Sequence, residues 1–246
     1  MIIDKEKCKE TIIRLDNYFN NSKPADIEFP SKIQYKSNEY YLYMFYSCLL
    51  DYGMKSKIYH RNLSETYVKY PQIFNPNYVL KIDEEELKWI IVNNIHPRYP
   101  NVATKKWLTL STALEKYANI SDYLKGFKSF DELSHFIRSI NGFGQKTGGL
   151  LIRIICDSKI CNFEEVKAIP IDRHDIEISY LAGIIDSKNI SSSQIDNLSD
   201  VYTAIGNELN INPSDIDKYL WETGNTFCNK KNCDGCPLNA ICKTKK

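Results

Sequence analysis

The last nineteen residues carry four cysteines in the pattern Cys228-x4-Cys233-x2-Cys236-x5-Cys242. A segment this short, rich in lysine and poor in apolar side chains, has too little surface to bury to fold alone. Four thiols at these intervals can enclose one metal centre, and ligation then supplies the missing folding free energy. All-cysteine coordination suits either a [4Fe–4S] cluster or zinc, and spacing leaves both open. The clustering also favours a metal site in a reducing, intracellular compartment over a disulfide framework. The other four cysteines, Cys8, Cys48, Cys156 and Cys161, show no ligand spacing and read as core or incidental thiols.

The chain's 246 residues are enough for two compact lobes, and 43% hydrophobic with 26% charged residues is the balance of a soluble globular protein. With 32 basic against 31 acidic residues, the global charge does not point to a polyanionic partner; a DNA-binding face has to come from local segregation. Met1–Lys9 alternates charged and apolar residues, unlike a secretion signal. Tyr40–Leu50, the longest nearly apolar run, falls well short of the ~20 residues that span a bilayer, so no membrane association is expected.

The pattern predicts an all-α protein. Ser37–Tyr52 reads as a strongly apolar helix closed by Gly53. Ile82–Asn93 places Leu87, Ile90 and Ile91 at helical spacing behind the acidic turn Asp83–Glu86. The prolines of His96–Pro100 break the helix, and another is expected over Lys105–Leu114. Ser129 and Glu132 form a capping-box pattern ahead of the stripe Phe130, Leu133, Phe136, Ile137 and Ile140. Further helices are expected over Gln145–Asp157, Asp172–Ile185 and Pro213–Glu222, with a connector at Asp157–Pro170.

Between two of these amphipathic helices stand only Asn141, Gly142, Phe143 and Gly144. Two glycines one residue apart permit a very tight reversal. The helix N-terminus that follows presents backbone N–H groups to a phosphate, with the helix dipole behind them. Gly142, Phe143, Gly144 and Gln145 are therefore candidates for gripping a nucleic-acid backbone without reading its sequence. Lys146 sits in the first turn of that helix, where the field disfavours a cation and, with partial burial, makes a neutral amine more available.

Ile140-Asn141-Gly142-Phe143-Gly144-Gln145-Lys146-Thr147 resembles the helix-hairpin-helix signature of the endonuclease III superfamily of DNA glycosylases, whose strand-cleaving members carry a lysine at the position of Lys146. Ile171-Asp172-Arg173-His174 is similar to that family's catalytic aspartate segment, although Asp172 follows Lys146 by 26 positions, with Asp157–Ile169 as an apparent insertion. Asp172 also has the context of an N-cap, Asp175 reads as a helix-surface charge, and His174 as a structural neighbour. Leu220-Trp221-x2-Gly224-x3-Cys228 with the following cysteines looks like the iron–sulfur tail of endonuclease III, with a shortened first interval.

The resemblance implies two helical lobes: a six-helix barrel of about residues 36–157, and a cluster lobe built from 1–35 and 158–246. It implies a monomeric base-excision enzyme acting on double-stranded DNA that holds a damaged base or an abasic site. Lys146 would displace an extruded base through a Schiff base, Asp172 would assist, and β-elimination would cut the strand. Cys228, Cys233, Cys236 and Cys242 would hold a [4Fe–4S] cluster, leaving Lys230 and Lys231 rigidly presented for phosphate contact. Tyr52 or Met54 could wedge the vacated base position, and Arg98, Lys105 and Lys106 could line DNA. The rivals are a glycosylase whose water replaces the lysine, and a non-catalytic DNA-binding scaffold with a zinc-bound tail.

Overall fold

A computed structural model describes residues 2–20, 29–51, 55–161, 163 and 169–244. Among these the chain forms twelve α-helices and no strand, and no helix is long and apolar enough to cross a membrane. It divides into two compact units, one of residues 1–26 and 166–246, the other of residues 27–165. Helix α1 (Lys5–Phe19) belongs to the first unit. The second holds α2 (Asn38–Leu49), α3 (Ser56–Lys69), α4 (Pro76–Val79), α5 (Glu84–Ile90), α6 (Pro100–Leu114), α7 (Ile120–Lys125), α8 (Phe130–Ser139) and α9 (Gln145–Asp157). The chain then completes the first unit with α10 (Arg173–Leu181), α11 (Ser192–Glu208) and α12 (Pro213–Thr223).

Helix α2 is the axis of its unit. Ser37 caps it by accepting the Tyr40 N–H at 3.1 Å, and every residue from Tyr40 to Leu49 is buried. A helix apolar on all sides needs neighbours on all sides, and α6, α7 and α9 supply them. Two of its buried tyrosines find partners for their polar tips: Tyr41 OH pairs with Ser158 Oγ at 2.8 Å. Tyr46 stacks on Trp107 at 4.5 Å and bonds Ser111 Oγ at 2.6 Å, while the Trp107 indole N–H donates to Ile73 O at 2.7 Å. The tip expected at Gly53 lies outside the described residues.

Several boundaries differ from expectation: α2 ends at Leu49 and not Tyr52, and α10 at Leu181 and not Ile185. Helix α5 stops at Ile90 and relaxes into a π-turn over Ile91–Ile95 before His96 takes a left-handed backbone, φ +55°. Helix α6 begins at Pro100, five residues before the expected Lys105, with the proline in its first turn. Proline is favoured there because its ring presets φ and its missing N–H has no intrahelical partner to lose; Pro100 starts this helix.

In the first unit, Cys8, Ile12 and Leu15 of α1 meet Leu198 and Tyr202 of α11 and Ile216 and Leu220 of α12 in one core. Phe19 stacks on Tyr219 at 5.2 Å. Helix α11 was not expected. Its signal is present: Ser191 and Gln194 form a complete capping box, ahead of Leu198, Tyr202 and Ile205 at helical spacing.

Candidate active site

The hairpin takes shape from the burial of its middle residue. Ser129 caps α8 by accepting the Glu132 N–H at 3.2 Å, and Glu132 reaches back to the Lys128 N–H at 2.9 Å. After α8 the chain reverses through Gly142, at φ +110°, and the Phe143 N–H closes the turn on Ile140 O at 3.1 Å. A Cβ on Gly142 would meet Leu49 Cδ1 at 2.7 Å, so the absent side chain serves both conformation and packing. Gly144 has an extended backbone and open space around it; its freedom is not used for the reversal. Phe143, 3% exposed, packs edge-on against Phe45 at 5.9 Å. Its ring is the hairpin's anchor, and only its backbone remains for a ligand. No side chain caps α9, whose first turn presents half-buried Gln145 and Lys146.

Beside the hairpin, in the same unit, lies a pair that sequence reading missed. Asp51 follows α2 and His60 stands on α3, both buried, with His60 Nε2 3.6 Å from Asp51 Oδ2. Burial pushes the Asp51 carboxyl upward, but the nearby His60, the charge of Lys146 and a hydrogen bond from Ser56 together hold it below its ordinary value. The only available signal was a lone aspartate just after an apolar helix.

Asp172 is the N-cap of α10. Its Oδ1 accepts the N–H groups of His174 at 2.6 Å and Asp175 at 3.3 Å. Asp175 is no surface charge. It is 1% exposed and completes a capping box by accepting the Asp172 N–H on Oδ2 at 2.6 Å. Burial first, then the charges of Asp172 and Asp217, hold its carboxyl well above the usual range. Residues i and i+3 share a helix face, and α12 packs over this one, which turns Asp175 inward. His174 packs on Gly224, where a Cβ would meet its own Cβ at 2.7 Å. Lys146 and Asp172 belong to different units.

The cysteine tail continues α12 through a π-turn, Gly224–Cys228. Lys231 adopts φ +54°, the Asn232 N–H returns to Phe227 O at 3.0 Å, and the Lys243 N–H donates to Leu181 O at 2.8 Å. Lys230 and Lys231 are exposed, as phosphate contact requires, and Lys243 Nζ sits 4.5 Å over the Tyr180 ring. Cys228, Cys233, Cys236 and Cys242 are all free and half-buried, and Cys228 lies within the electrostatic reach of the other three. The donor chemistry fits a thiolate-ligated centre. Yet among the described residues no group of three or more His, Cys, Asp or Glu side chains is arranged to hold a metal ion.

Neither a family model nor a curated protein sequence matches the chain. Solved structures do. A trapped endonuclease III–DNA covalent intermediate matches at a TM-score of 0.65 and 15% identity, covering 99% of this chain and 98% of its own. The chain has the endonuclease III fold. A thermostable thymine-DNA glycosylase matches equally, at 0.65 and 16% identity over 98% of this chain and 97% of its own. An 8-oxoguanine glycosylase/lyase of Methanocaldococcus jannaschii, in complex with DNA containing 8-oxoguanine, matches at 0.57 and 19% identity, with 89% of each chain covered.

Within the endonuclease III fold of this chain, the hairpin residues Gly142–Lys146 form one local structure and Asp172 heads a helix start. Arg98, Lys105 and Lys106 stand at or before α6, and Arg98 lies 5.3 Å from the ring of its neighbour Tyr99. The wedge candidates Tyr52 and Met54 lie outside the described residues, as do Lys245 and Lys246.

Proposed function

We propose that this protein is a DNA base-excision glycosylase that also cleaves the strand, with Lys146 as nucleophile and Asp172 as its carboxylate. The observation that carries the reading is the lysine itself: half-buried, in the first turn of an uncapped helix entered through a glycine hairpin, on this fold. The same fold is seen in a glycosylase/lyase bound to lesion-containing DNA and in an enzyme trapped covalently on DNA.

The chemistry follows from the groups. Double-stranded DNA binds by its phosphates to the α9 N-terminus and to Lys230 and Lys231, and the damaged nucleotide turns out of the stack. Lys146 Nζ, having lost a proton, attacks C1′. The C1′–N bond breaks, its electron pair leaves with the base, and the base takes up a proton. The Asp172 carboxylate stabilises the positive charge that develops on the sugar. The new C1′–N bond becomes an iminium as the C1′–O4′ bond opens and O4′ is protonated. Loss of a C2′ proton then expels the 3′ phosphate oxygen, breaking the strand. Cys228, Cys233, Cys236 and Cys242 would hold a [4Fe–4S] cluster, whose ligation would order the tail.

Borohydride trapping on a duplex with one abasic site tests the covalent step. The intact protein is expected to give a stable protein–DNA adduct and Lys146→Ala none; an undiminished adduct from that variant removes the lysine from its role.

A further inference from the structure

The unit that holds Lys146 contains a buried acid next to the hairpin. Asp51 is 7% and His60 5% exposed. Both imidazole nitrogens of His60 are buried without a hydrogen-bond partner, and the nearer stands 3.6 Å from Asp51. An ionised carboxylate so placed needs a cation close by. The hairpin packs on the end of α2, Gly142 against Leu49 and Phe143 against Phe45. Helix α9 therefore begins beside the segment that carries Asp51, two residues past the α2 terminus. The charge of Lys146 is one of those that favour the ionised form of Asp51.

We propose that Asp51 is a positioning residue for Lys146, its carboxylate, backed by His60, holding the amine over the hairpin from within the same unit. The inference rests on the reading of Lys146 as nucleophile. The charged and titratable groups around the pair are His60 and Tyr59 of α3, Lys146 of α9, and Lys106 of α6, whose Cδ lies 4.0 Å from the place a Gly142 Cβ would occupy. Asp51 is assigned no proton transfer. Its effect is to fix where Nζ stands relative to the extruded nucleotide.

Positioning gives a signature which a merely structural residue lacks. The rate of borohydride-trapped adduct formation is measured under single-turnover conditions for the intact protein, Asp51→Asn and Asp51→Glu. DNA affinity and thermal unfolding are measured alongside. For Asp51→Asn the adduct rate at saturating DNA is expected to fall about tenfold as orientation is lost, with DNA affinity unchanged. Asp51→Glu keeps the charge and is expected to recover most of that rate. If Asp51→Asn does not fold, Asp51→Ser carries the same comparison. A folded, DNA-binding neutral variant with the wild-type adduct rate overturns the assignment of Asp51. An intact protein that forms no adduct overturns the nucleophile reading instead.

Discussion

The backbone N–H of Asp172 donates to Asp175 Oδ2 at 2.6 Å, and Asp172 Oδ1 accepts the Asp175 N–H in return at 3.3 Å. The two carboxyls thus share one helix start, but Asp175 is the one buried, and its Oδ1 has no hydrogen-bond partner. Folding raises the Asp175 carboxyl well above its ordinary value of 3.8. The native state therefore binds this proton more tightly than the unfolded chain, and stability contributed by the group falls as pH rises past that ordinary value. Asp175→Asn keeps the shape and the acceptor for Asp172 and cannot ionise. It is expected to raise the unfolding midpoint at neutral pH by a few degrees, about 2–4 °C for each kcal/mol, with the gain shrinking as pH is lowered toward 4. A difference that stays constant with pH would falsify the buried-proton account.

The two hairpin glycines are expected to behave oppositely. Gly142→Ala places a Cβ 2.7 Å from Leu49 Cδ1 on a backbone at φ +110°. Strain and overpacking together cost about 1–3 kcal/mol, visible in thermal unfolding. Gly144 is extended, with nothing within 4 Å of an added Cβ. Gly144→Ala should cost less than about 1 kcal/mol, the difference between these residues at an N-cap, and act on DNA affinity by crowding the α9 N-terminus. Equal losses of stability from both changes would contradict this division.

Asp172 combines a cap with a proposed catalytic charge, and two substitutions separate them. Asparagine caps a helix about as well as aspartate, whereas alanine loses about 1 kcal/mol. Asp172→Asn is expected to unfold at nearly the wild-type temperature and bind DNA, while single-turnover base release falls about 10²–10⁴-fold. Asp172→Ala should lose both stability and turnover. Were the asparagine variant to turn over normally, the carboxylate would be a cap only.

The local chemistry was legible because it depends on residues close in the chain. Ser129 and Asp172 both cap where their contexts predict, and the reversal at Gly142 follows from its missing Cβ. What escaped depends on tertiary burial. Asp175 reads as surface in a helix of mixed polarity, and only the packing of α12 on α10 turns it inward. Asp51 and His60 are nine positions apart, one just past α2 and the other on α3, and only burial brings them together. Helix α11 escaped for a different reason: its capping box and apolar spacing are local, but they follow a long polar run, Asp186–Ser193, that reads as loop.

The tail provides the last test, because its packing alone is thin. Among the described residues past Gly224, only Phe227 and Leu238 are buried, with Cys228, Cys236 and Ile241 partly covered at the edge of the core formed by α1, α11 and α12. Two anchors do not offset the entropy of ordering some fifteen residues, at roughly 1–2 kcal/mol each for backbone. Ligation by the four thiols is expected to supply the difference. Protein purified without oxygen should carry iron and acid-labile sulfide, and Cys236→Ser should lose both. In that variant, limited proteolysis should cut beyond Phe227 while the helices α1, α11 and α12 stay resistant. Equal resistance in the metal-free variant would mean that Phe227 and Leu238 suffice, and zinc in place of iron would leave the mechanical role intact while changing its agent.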